Sequence, residues 1–302
     1  WAVRRGVDRL VLLSRRGPLA PGADALAAEL RGQGTTVELV ACDVADGAAL
    51  GALVDRLSAA GSPLSAVFHT AGIGTQVPLR GLTADLLAQA VSGKVGGARV
   101  LHERLGHHGP DVFVMSSSVA GVWGSATQAH YAAANAFLHA LAQHRRARGL
   151  AALSVALGGL AGEGMAATAE MTDYFIRRGL RSMPIPVAVA AIDEALRRPG
   201  ASPLVADVAW ERFAPAYSSA RPRPLLDLLP EAQSALQAPS RQGEPVAGAD
   251  GTSALRQRLL ALPESERQPT LLELLCAEAA TVLKFAEPTA LRPERPLKEL
   301  GL

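Results

Sequence analysis

The first two hundred residues alternate short apolar runs with longer segments in which apolar residues recur about every 3.6 positions. A run such as residues 10–13 (LVLL), which is bounded by charged residues, is typical of a strand buried on both faces. The predicted strands are 10–13, 37–40, 66–68, 112–115 and 153–157, and the predicted helices are 22–33, 46–60, two stretches within 81–106, and 127–148. Strands that alternate with helices predict βαβ units. The expected fold is therefore α/β, a doubly wound, Rossmann-like parallel sheet with helices on both faces.

The start of the chain departs from the usual opening of such a fold. A doubly wound nucleotide-binding domain begins with a strand, a glycine-rich turn and a helix whose N-terminus holds a pyrophosphate. Here the first predicted strand is followed by Ser14, Arg15 and Arg16, and residues 4–6 (RRG) are typical of the end of a helix. We therefore expect the first βα unit, with its glycine-rich loop, to lie upstream of Trp1.

The composition changes near residue 220, where prolines interrupt the pattern. Residues 231–253 are rich in Ala, Ser, Gln, Gly and Pro and show little periodicity, which predicts a linker. Two further amphipathic helices are predicted at 254–263 and 269–285. The expected organisation is an α/β domain over 1–230, the linker over 231–253 and a small helical region over 254–302.

Charge and cysteine content exclude several classes of function. The chain has 30 Lys and Arg against 28 Asp and Glu, a net charge of +2, which gives no electrostatic footprint for nucleic acid. Cys42 and Cys276 lie far apart, so neither a disulfide framework nor a thiolate zinc site is expected. No apolar run reaches the roughly 18 residues of a membrane span, and the N-terminus lacks a signal-peptide pattern. We expect a cytoplasmic protein that binds neither membranes nor nucleic acid.

Four polar residues fall on elements that converge in a doubly wound sheet. Ser118 follows the fourth predicted strand, at the sheet edge where such folds bind ligands. Tyr131 and Asn135 are four residues apart and share one face of the next helix, while Lys94 lies on the helix before that strand. A buried ammonium beside a phenol makes the phenol a better acid. The set could protonate a ketone while hydride arrives from the other side. Taken singly, the serine is more often a turn residue, the tyrosine a packing residue and the lysine a surface residue.

These residues belong to a longer series of ordered blocks. The blocks are 12–17 (LLSRRG), 42–44 (CDV), 69–72 (HTAG), 117–121 (SSVAG), 131–135 (YAAAN) and 206–210 (ADVAW). Over residues 1–230 the chain resembles the ketoreductase domains of modular type I polyketide synthases, a branch of the short-chain dehydrogenase/reductase superfamily. Typical members of that superfamily carry Tyr-x-x-x-Lys. Here Asn135 takes the lysine position and the lysine is Lys94, an exchange typical of the synthase ketoreductases.

The resemblance implies a role for each of the four residues. Tyr131 would donate the proton to a β-ketone oxygen, and Ser118 would hydrogen-bond and orient that oxygen. Lys94 would favour proton release from the tyrosine and contact the nicotinamide ribose. Asn135 would support the proton relay.

The resemblance also implies NADPH as the cofactor. The implied cofactor contacts are Ser14, Arg15, Asp43, Val44, Ala71, Gly72, Lys94 and Tyr131. Arg15 would pair with the 2′-phosphate, assisted by Ser14, because an arginine follows the strand where an NAD enzyme places an acidic residue. A solvated turn is the alternative interpretation of this arginine.

Three positions bear on the configuration of the product. In this family the ketoreductases that give D-configured alcohols carry Leu-Asp-Asp at the position of residues 74–76, which read GTQ here. The ketoreductases that give L-configured alcohols carry a tryptophan eight residues before the catalytic tyrosine, and Trp123 has that position relative to Tyr131. Gln128 stands where a histidine would indicate an epimerised α-branch. The resemblance therefore implies an A1-type enzyme that makes an L-configured β-hydroxyl, with a substrate lid over roughly 164–183 that includes Met165. A core aromatic is the alternative interpretation of Trp123.

The end of the chain resembles the start of an acyl carrier protein. Residues 271–283 are similar to its first helix, and residues 292–302 are similar to the loop that leads to the serine bearing 4′-phosphopantetheine. That serine is not in this chain, and a generic pair of docking helices is the alternative.

Together these features predict an NADPH-dependent reductase of a β-ketoacyl thioester bound to an acyl carrier protein. The resemblance further implies ketosynthase and acyltransferase domains in the same module, a homodimer formed through other domains, and a place in antibiotic biosynthesis. Two alternatives stay open at this point: a stand-alone short-chain dehydrogenase that acts on a small free substrate, and a reductase-like scaffold domain without activity.

Overall fold

A computed structural model describes residues 1–59, 64–106, 109–162, 172, 175–198, 202–219, 221–238, 255–256 and 258–283. The chain divides into two compact units, Trp1–Gln237 and Ala238–Leu302. The first unit carries every residue that the sequence analysis assigns to the reductase.

The described strands of the first unit follow the predicted order: the first four are one to three residues longer than predicted, the fifth has its predicted bounds, and three further short strands were not predicted. They are β1 (Arg9–Ser14), β2 (Thr36–Ala41), β3 (Ala66–His69), β4 (Val112–Ser118), β5 (Leu153–Leu157), β6 (Leu180–Arg181), β7 (Leu204–Val205) and β8 (Asp207–Val208). The described helices are α1 (Ala23–Gly32), α2 (Gly47–Ala59), α3 (Ala84–Val91), α4 (Gly97–Leu105), α5 (Ala120–Trp123), α6 (Ala129–Ala147), α7 (Ile185–Arg197), α8 (Trp210–Ser218) and α9 (Pro230–Gln237).

The long strands pair in parallel, which confirms the predicted α/β class. β1 pairs with β2, and β3, β4, β5 and β7 form a sheet in that order. β6 and β8 form a short antiparallel pair. Among the described residues no strand joins β1 to β3, so the two parallel sheets are separate. The βα unit expected upstream of Trp1 stays a prediction.

Strand β4 shows that helices cover both faces of the sheet. Phe113 and Met115 pack in one apolar cluster with residues of α2, α4 and α6, while Val114 packs in a second cluster with Ala195 of α7. Alternate residues of a strand point to opposite faces, so the unbroken apolar run of β4 contributes side chains to both clusters. Phe113 is 1% exposed, and burying such a side chain contributes about 2–3 kcal/mol.

The region between α3 and α4 differs from the prediction of two plain helices. Residues Ser92–Gly96 form a π-helix that joins the two. A π-helix inserts one residue into the helical ladder and is frequent at functional sites. Periodicity near 3.6 does not reveal it, because the flanking turns remain helical.

The predicted linker begins too early. Helix α9 covers residues 231–237, so the prediction of a linker was wrong for that stretch. The cause is tertiary packing: Ala232 and Leu226 are buried against Trp210 and Tyr217. An Ala- and Gln-rich segment carries too few large apolar residues for this burial to show in its pattern. Residues 239–253 of the predicted linker lie outside the described residues.

The second unit is helical where the structure describes it. Residues 255–256 and 258–261 are helical, and helix α10 (Glu264–Leu283) begins earlier than predicted, with Pro269 inside it. Glu264 and Glu266 in its first turn suit a helix N-terminus. The carrier-like segment 292–302 lies outside the described residues.

No described helix combines the length and apolarity that a membrane crossing requires. Across the described residues, no group of three or more His, Cys, Asp and Glu side chains could hold a metal ion.

Candidate active site

The carboxyl ends of β1 and β2 and the segment after β3 border a cavity of about 470 Å³, together with residues of α3 and the π-helix. Parallel strands end at the same edge of their sheet, and ligands of open α/β folds bind there. The lining residues are Leu13, Ser14, Arg15, Cys42, Asp43, Val44, Ala45, Ala71, Gly72, Ile73, Gln89, Ala90, Ser92, Gly93 and Lys94. Seven of the eight predicted cofactor residues are in this set; Tyr131 is the exception. The sequence analysis missed Ser92 and Gly93, which the π-helix turns toward the cavity.

Hydrogen bonds hold Lys94 both at its side-chain nitrogen and at its backbone. It lies in the π-helix and is only 4% exposed. Its Nζ donates a hydrogen bond of 2.8 Å to the carbonyl of Ser116 in β4. The backbone carbonyl of Lys94 lies 2.8 Å from Nε2 of His69, at the end of β3, and accepts its hydrogen. Burial lowers the pKa of His69, which favours the neutral ring, and the Lys94 carbonyl places the single ring hydrogen on Nε2.

The Lys94 side chain crosses a glycine to reach this position. A Cβ on Gly72 would lie 2.7 Å from Cε of Lys94. That distance is far below van der Waals contact, so any larger residue would displace the lysine. Position 72 therefore requires glycine, because a Cβ there would clash with the Lys94 side chain.

Burial lowers the pKa of Lys94 from its ordinary 10.5 to about 8. A buried ammonium loses hydration, which favours the neutral amine. Its Nζ lies 5.8 Å from the centre of the Tyr131 ring. The structure thus brings together the lysine and the tyrosine that the sequence analysis paired.

Helix α6 presents Tyr131 and Asn135 on one buried face. Tyr131 is 9% exposed and Asn135 is fully buried. Nδ2 of Asn135 donates a 2.7 Å hydrogen bond to the backbone carbonyl of Tyr131. Oδ1 of Asn135 has no partner among the described residues. A buried amide oxygen without a partner is costly, so this atom is ready to accept a hydrogen bond from a bound group.

The serines at the end of β4 have separate tasks. Ser117 is buried, and its Oγ donates to the backbone carbonyl of Asn135 at 3.1 Å. The same Oγ lies 3.0 Å from Nε2 of His139, one turn further along α6, which ties the helix to the strand. Ser118 is half-buried, and its Oγ accepts a bond of 3.2 Å from the backbone N–H of Ala120. Its hydroxyl hydrogen therefore stays available to a substrate oxygen.

Arg15 stands at the mouth of the cavity on a tight turn. The Oγ of Ser14 accepts a 2.8 Å hydrogen bond from the backbone N–H of Gly17. Gly17 has φ +52°, and a Cβ there would lie 2.4 Å from the backbone nitrogen of Ala41, so the turn requires glycine. Arg15 itself is exposed, and no carboxylate of the described residues lies within ion-pair distance of it.

Two features of the cavity wall bear on the binding of a nucleotide. The exposed guanidinium of Arg15, which has no ion-pair partner among the described residues, follows β1 and could bind a phosphate group. Oδ1 of Asp43 accepts a 2.9 Å bond from the backbone N–H of Ala45, which shapes the wall after β2. Val44 is half-buried and packs close to Gly97.

The structure describes two of the three residues predicted to control the configuration of the product, Trp123 and Gln128. Trp123 ends helix α5, and its ring centre lies 4.8 Å from that of Phe213. Its backbone carbonyl accepts a 2.9 Å bond from the hydroxyl of Tyr217. Oε1 of Gln128 accepts a 2.8 Å bond from Ser125. Met165 and half of the predicted lid, 164–183, lie outside the described residues.

The sequence analysis assigned no role to two histidines near the site, buried His69 and half-buried His139. His69 supports the backbone of Lys94, and His139 supports Ser117. His139 lies at i+8 from Tyr131, so the helical spacing Tyr131, Asn135, His139 could have identified it. The long-range contact of His69 had no local signal.

Comparison with known proteins identifies relatives of the chain. The family model described as "KR domain" matches residues 1–162. The pikromycin polyketide synthase component PikAIII of Streptomyces venezuelae is 45% identical over 304 residues, which cover 100% of this chain and 19% of that protein. The chain thus spans about a fifth of this relative, which is a much larger protein.

Solved structures resemble the chain to a similar degree. The first ketoreductase of the tylosin polyketide synthase is 50% identical with a TM-score of 0.69, and the match covers 76% of this chain and 49% of that chain. A structure described as an A1-type ketoreductase is 44% identical with a TM-score of 0.74, and covers 78% of this chain and 49% of that chain. The chain spans about half the length of these structures.

Proposed function

The chain belongs to the KR domains of modular type I polyketide synthases, and from this premise we propose that it reduces a carrier-bound β-ketoacyl thioester with NADPH to an L-configured β-hydroxyacyl thioester. The observation that carries the proposal is the placement of buried Lys94 over the Tyr131 ring, beside a cavity of nucleotide size. Membership of the family supports the type of reaction. Cofactor, substrate and configuration are proposed from the residues below.

Tyr131 is the proposed proton donor. Bound NADPH would supply the hydride for the new C–H bond at the β-carbon. The carbonyl oxygen gains negative charge as this bond forms, and the Tyr131 hydroxyl delivers a proton to it. Ser118 donates a hydrogen bond to the same oxygen and fixes its direction. Because both groups lie at the end of β4 or the start of α6, the rigid parts of the fold orient the ketone.

Lys94 and Asn135 support that transfer. With a pKa of about 8, Lys94 keeps mostly its ammonium form at neutral pH. Its positive charge beside the tyrosine stabilises the phenolate left after proton transfer. The unpartnered Oδ1 of Asn135 accepts a hydrogen bond from the group that returns a proton to the site.

Arg15 is the proposed determinant of NADPH over NADH. The 2′-phosphate brings two negative charges that an arginine can bind through paired hydrogen bonds. Ser14 adds a hydroxyl donor on the same turn. Asp43, Val44, Ala71 and Gly72 complete the wall against which the adenosine and nicotinamide halves would lie.

The L configuration of the product and the absence of epimerisation are proposed from Trp123, Gln128 and residues 74–76. These positions lie on segments that adjoin Tyr131 or the cavity. Trp123 is fixed by Phe213 and Tyr217 of α8, so its half-buried ring offers a firm surface to a substrate.

The partners follow from the relatives, which are multidomain synthases. We propose an acyl carrier protein as the bearer of the substrate on 4′-phosphopantetheine, with ketosynthase and acyltransferase domains in the same module. A homodimer formed through those domains and a cytoplasmic location also remain proposals.

The decisive experiment is NADPH oxidation by the intact protein with a β-ketoacyl thioester, followed by chiral analysis of the alcohol. We expect NADPH consumption and the L-alcohol. A D-alcohol would leave the reductase in place and refute the assignment of configuration. A folded protein that binds NADPH without turnover would favour a scaffold role, and a preference for small free ketones over carrier-bound thioesters would favour a stand-alone type of dehydrogenase.

A further inference from the structure

Two loops beside the proposed site are joined by a pair of hydrogen bonds. Oγ1 of Thr75 lies 2.8 Å from Nε2 of His130. The backbone N–H of Val77 donates to the carbonyl of Thr127 at 2.7 Å. These four residues, Thr75, Val77, Thr127 and His130, are named the clasp below.

His130 is the buried end of the clasp. It is 1% exposed and directly precedes Tyr131 in α6. Its Nδ1 is buried and has no partner among the described residues. The tautomer with hydrogen on Nε2 leaves only a lone pair unsatisfied, so Nε2 donates to the Thr75 hydroxyl. The hydroxyl oxygen of Thr75 thus accepts the hydrogen of this buried ring.

Thr127 is the strained part of the clasp. Its φ is +60°, the single positive value at a non-glycine residue in the described parts of the chain. A β-branched residue rarely adopts this conformation, and the surrounding structure must hold it there. The hydrogen bond from Val77 engages the carbonyl of this very residue, so the strain and the clasp occur together.

The clasp connects the proposed cofactor cavity with the segment that carries the proposed proton donor, Tyr131. Its first loop continues from Ala71, Gly72 and Ile73, which line the cavity where the cofactor is proposed to bind. Its second loop leads directly into Tyr131. The clasp therefore sets the distance and angle between the cavity wall and the first turn of α6.

We propose that Thr75 and His130 act as one positioning unit, which determines how the ketone lies between the cofactor and Tyr131 and so determines the configuration of the alcohol. This inference rests on the proposed function and assigns roles to two residues outside the four proposed catalytic groups. Neither residue touches the reacting atoms in this scheme, and both act through the backbone that carries Tyr131.

The test uses Thr75→Val, which removes the hydroxyl, and Thr75→Ser, which keeps it, in the intact protein. Misplacement of reacting groups by about 1 Å can cost up to about a hundredfold in rate, so we expect Thr75→Val to lower kcat by about tenfold. The ratio of L- to D-alcohol should fall with it, while the KM for NADPH stays within about twofold because the cavity wall keeps its residues. Thr75→Ser should restore both the rate and the product ratio.

A double-mutant cycle tests whether the two residues act together. His130→Phe keeps a buried ring without polar atoms, and in Thr75→Val/His130→Phe neither side of the clasp leaves an unpaired polar group. The double variant should therefore be no worse than either single variant. Additive losses in kcat, or a wild-type product ratio in Thr75→Val, would overturn the proposal.

Hydrogen exchange gives a readout that does not depend on turnover. The amide of Val77 should exchange faster in Thr75→Val than in the wild type and in Thr75→Ser, since the loop has lost one of its two anchors. Unchanged exchange in Thr75→Val would refute the clasp even if the protein had no reductase activity. Wild-type protein that makes no L-alcohol, combined with faster exchange in Thr75→Val, would instead refute the proposed function and leave the clasp in place.

Discussion

Lys94 and Arg15 are cations on the wall of the same cavity, yet the fold treats them differently. Lys94 is 4% exposed, with its Nζ bound to the Ser116 carbonyl and its backbone bound to His69. Arg15 is exposed, has no ion-pair partner among the described residues, and lies on the turn that Ser14 and Gly17 stabilise. A group that tunes proton transfer benefits from a low dielectric and a fixed position, whereas a group that captures a phosphate needs a full charge that solvent and ligand can reach. The buried side of the site should therefore respond to substitution through rate and stability, and the exposed side through cofactor affinity.

The largest effect is expected on the buried side, for Tyr131→Phe. Loss of the phenolic hydroxyl removes the proposed acid, and general acid catalysis contributes about 10²–10⁴ in rate, so kcat should fall by about a thousandfold. The ring is retained, so NADPH affinity should stay within about twofold of the wild type. Stopped-flow reduction and a fluorescence titration with NADPH measure the two quantities separately. Turnover near the wild-type rate would remove this tyrosine from its proposed role.

The second prediction concerns the buried charge of Lys94. Its pKa is lowered from 10.5 to about 8 in the folded protein, so the unfolded chain binds more protons between these two pH values. Stability therefore rises as the pH increases from 8 to 10.5, and this lysine alone contributes about 3 kcal/mol to the rise. Denaturant unfolding of the wild type and of Lys94→Met across this range measures it.

The comparison of the two proteins isolates the lysine, because the other titrating groups are shared. We expect the free energy of unfolding of Lys94→Met to rise less with pH than that of the wild type. Parallel curves would mean that the lysine keeps its ordinary pKa despite its burial. The same variant should lose most of its reductase activity at neutral pH, where the wild-type side chain is mostly charged.

On the exposed side we expect Arg15→Gln to act on the cofactor alone. Loss of a guanidinium that binds a phosphate should raise the KM for NADPH by about ten- to fiftyfold, leave the KM for NADH nearly unchanged, and leave the melting temperature unchanged. Arg16→Gln is a matched control, because Arg16 is also exposed but does not line the cavity. An equal effect of the two substitutions would mean that the phosphate is bound by the general positive charge of the turn.

The same contrast explains what the sequence could predict. The order of elements and the α/β class follow from apolar runs and periodicity, and Arg15 follows from its position after a strand. Lys94, Tyr131 and Asn135 could be assigned to one site because each lies on an element whose place in a doubly wound fold is known. The π-helix around Lys94 could not be predicted, because its cause is the long-range support from His69 and Ser116.

Residues 231–237 were missed for a related reason. Their helix depends on burial of Ala232 beside Trp210 and Tyr217, which lie some twenty residues earlier in the chain. Local composition predicted a linker, and tertiary packing overrode it. In the same way, nothing local connects Thr75 with His130, which are 55 positions apart.

The smallest expected effect tests the strain near Tyr131. Thr127 is exposed and has φ +60°, a conformation that costs a β-branched residue about 1–2 kcal/mol more than glycine. Thr127→Gly removes that cost but gives the unfolded chain about 1 kcal/mol of additional conformational entropy. The variant should therefore be as stable as the wild type or more stable by up to about 1 kcal/mol.

Thr36→Gly is the matched control, since Thr36 is also exposed but begins strand β2. A glycine in a strand only loses stability, so this variant should unfold about 1 kcal/mol more easily than the wild type. Thermal or denaturant unfolding of both variants measures the difference. If Thr127→Gly were destabilised as much as Thr36→Gly, the left-handed conformation of Thr127 would cost nothing. The buried side of the site would then be held by hydrogen bonds alone, without strain in the segment that leads to Tyr131.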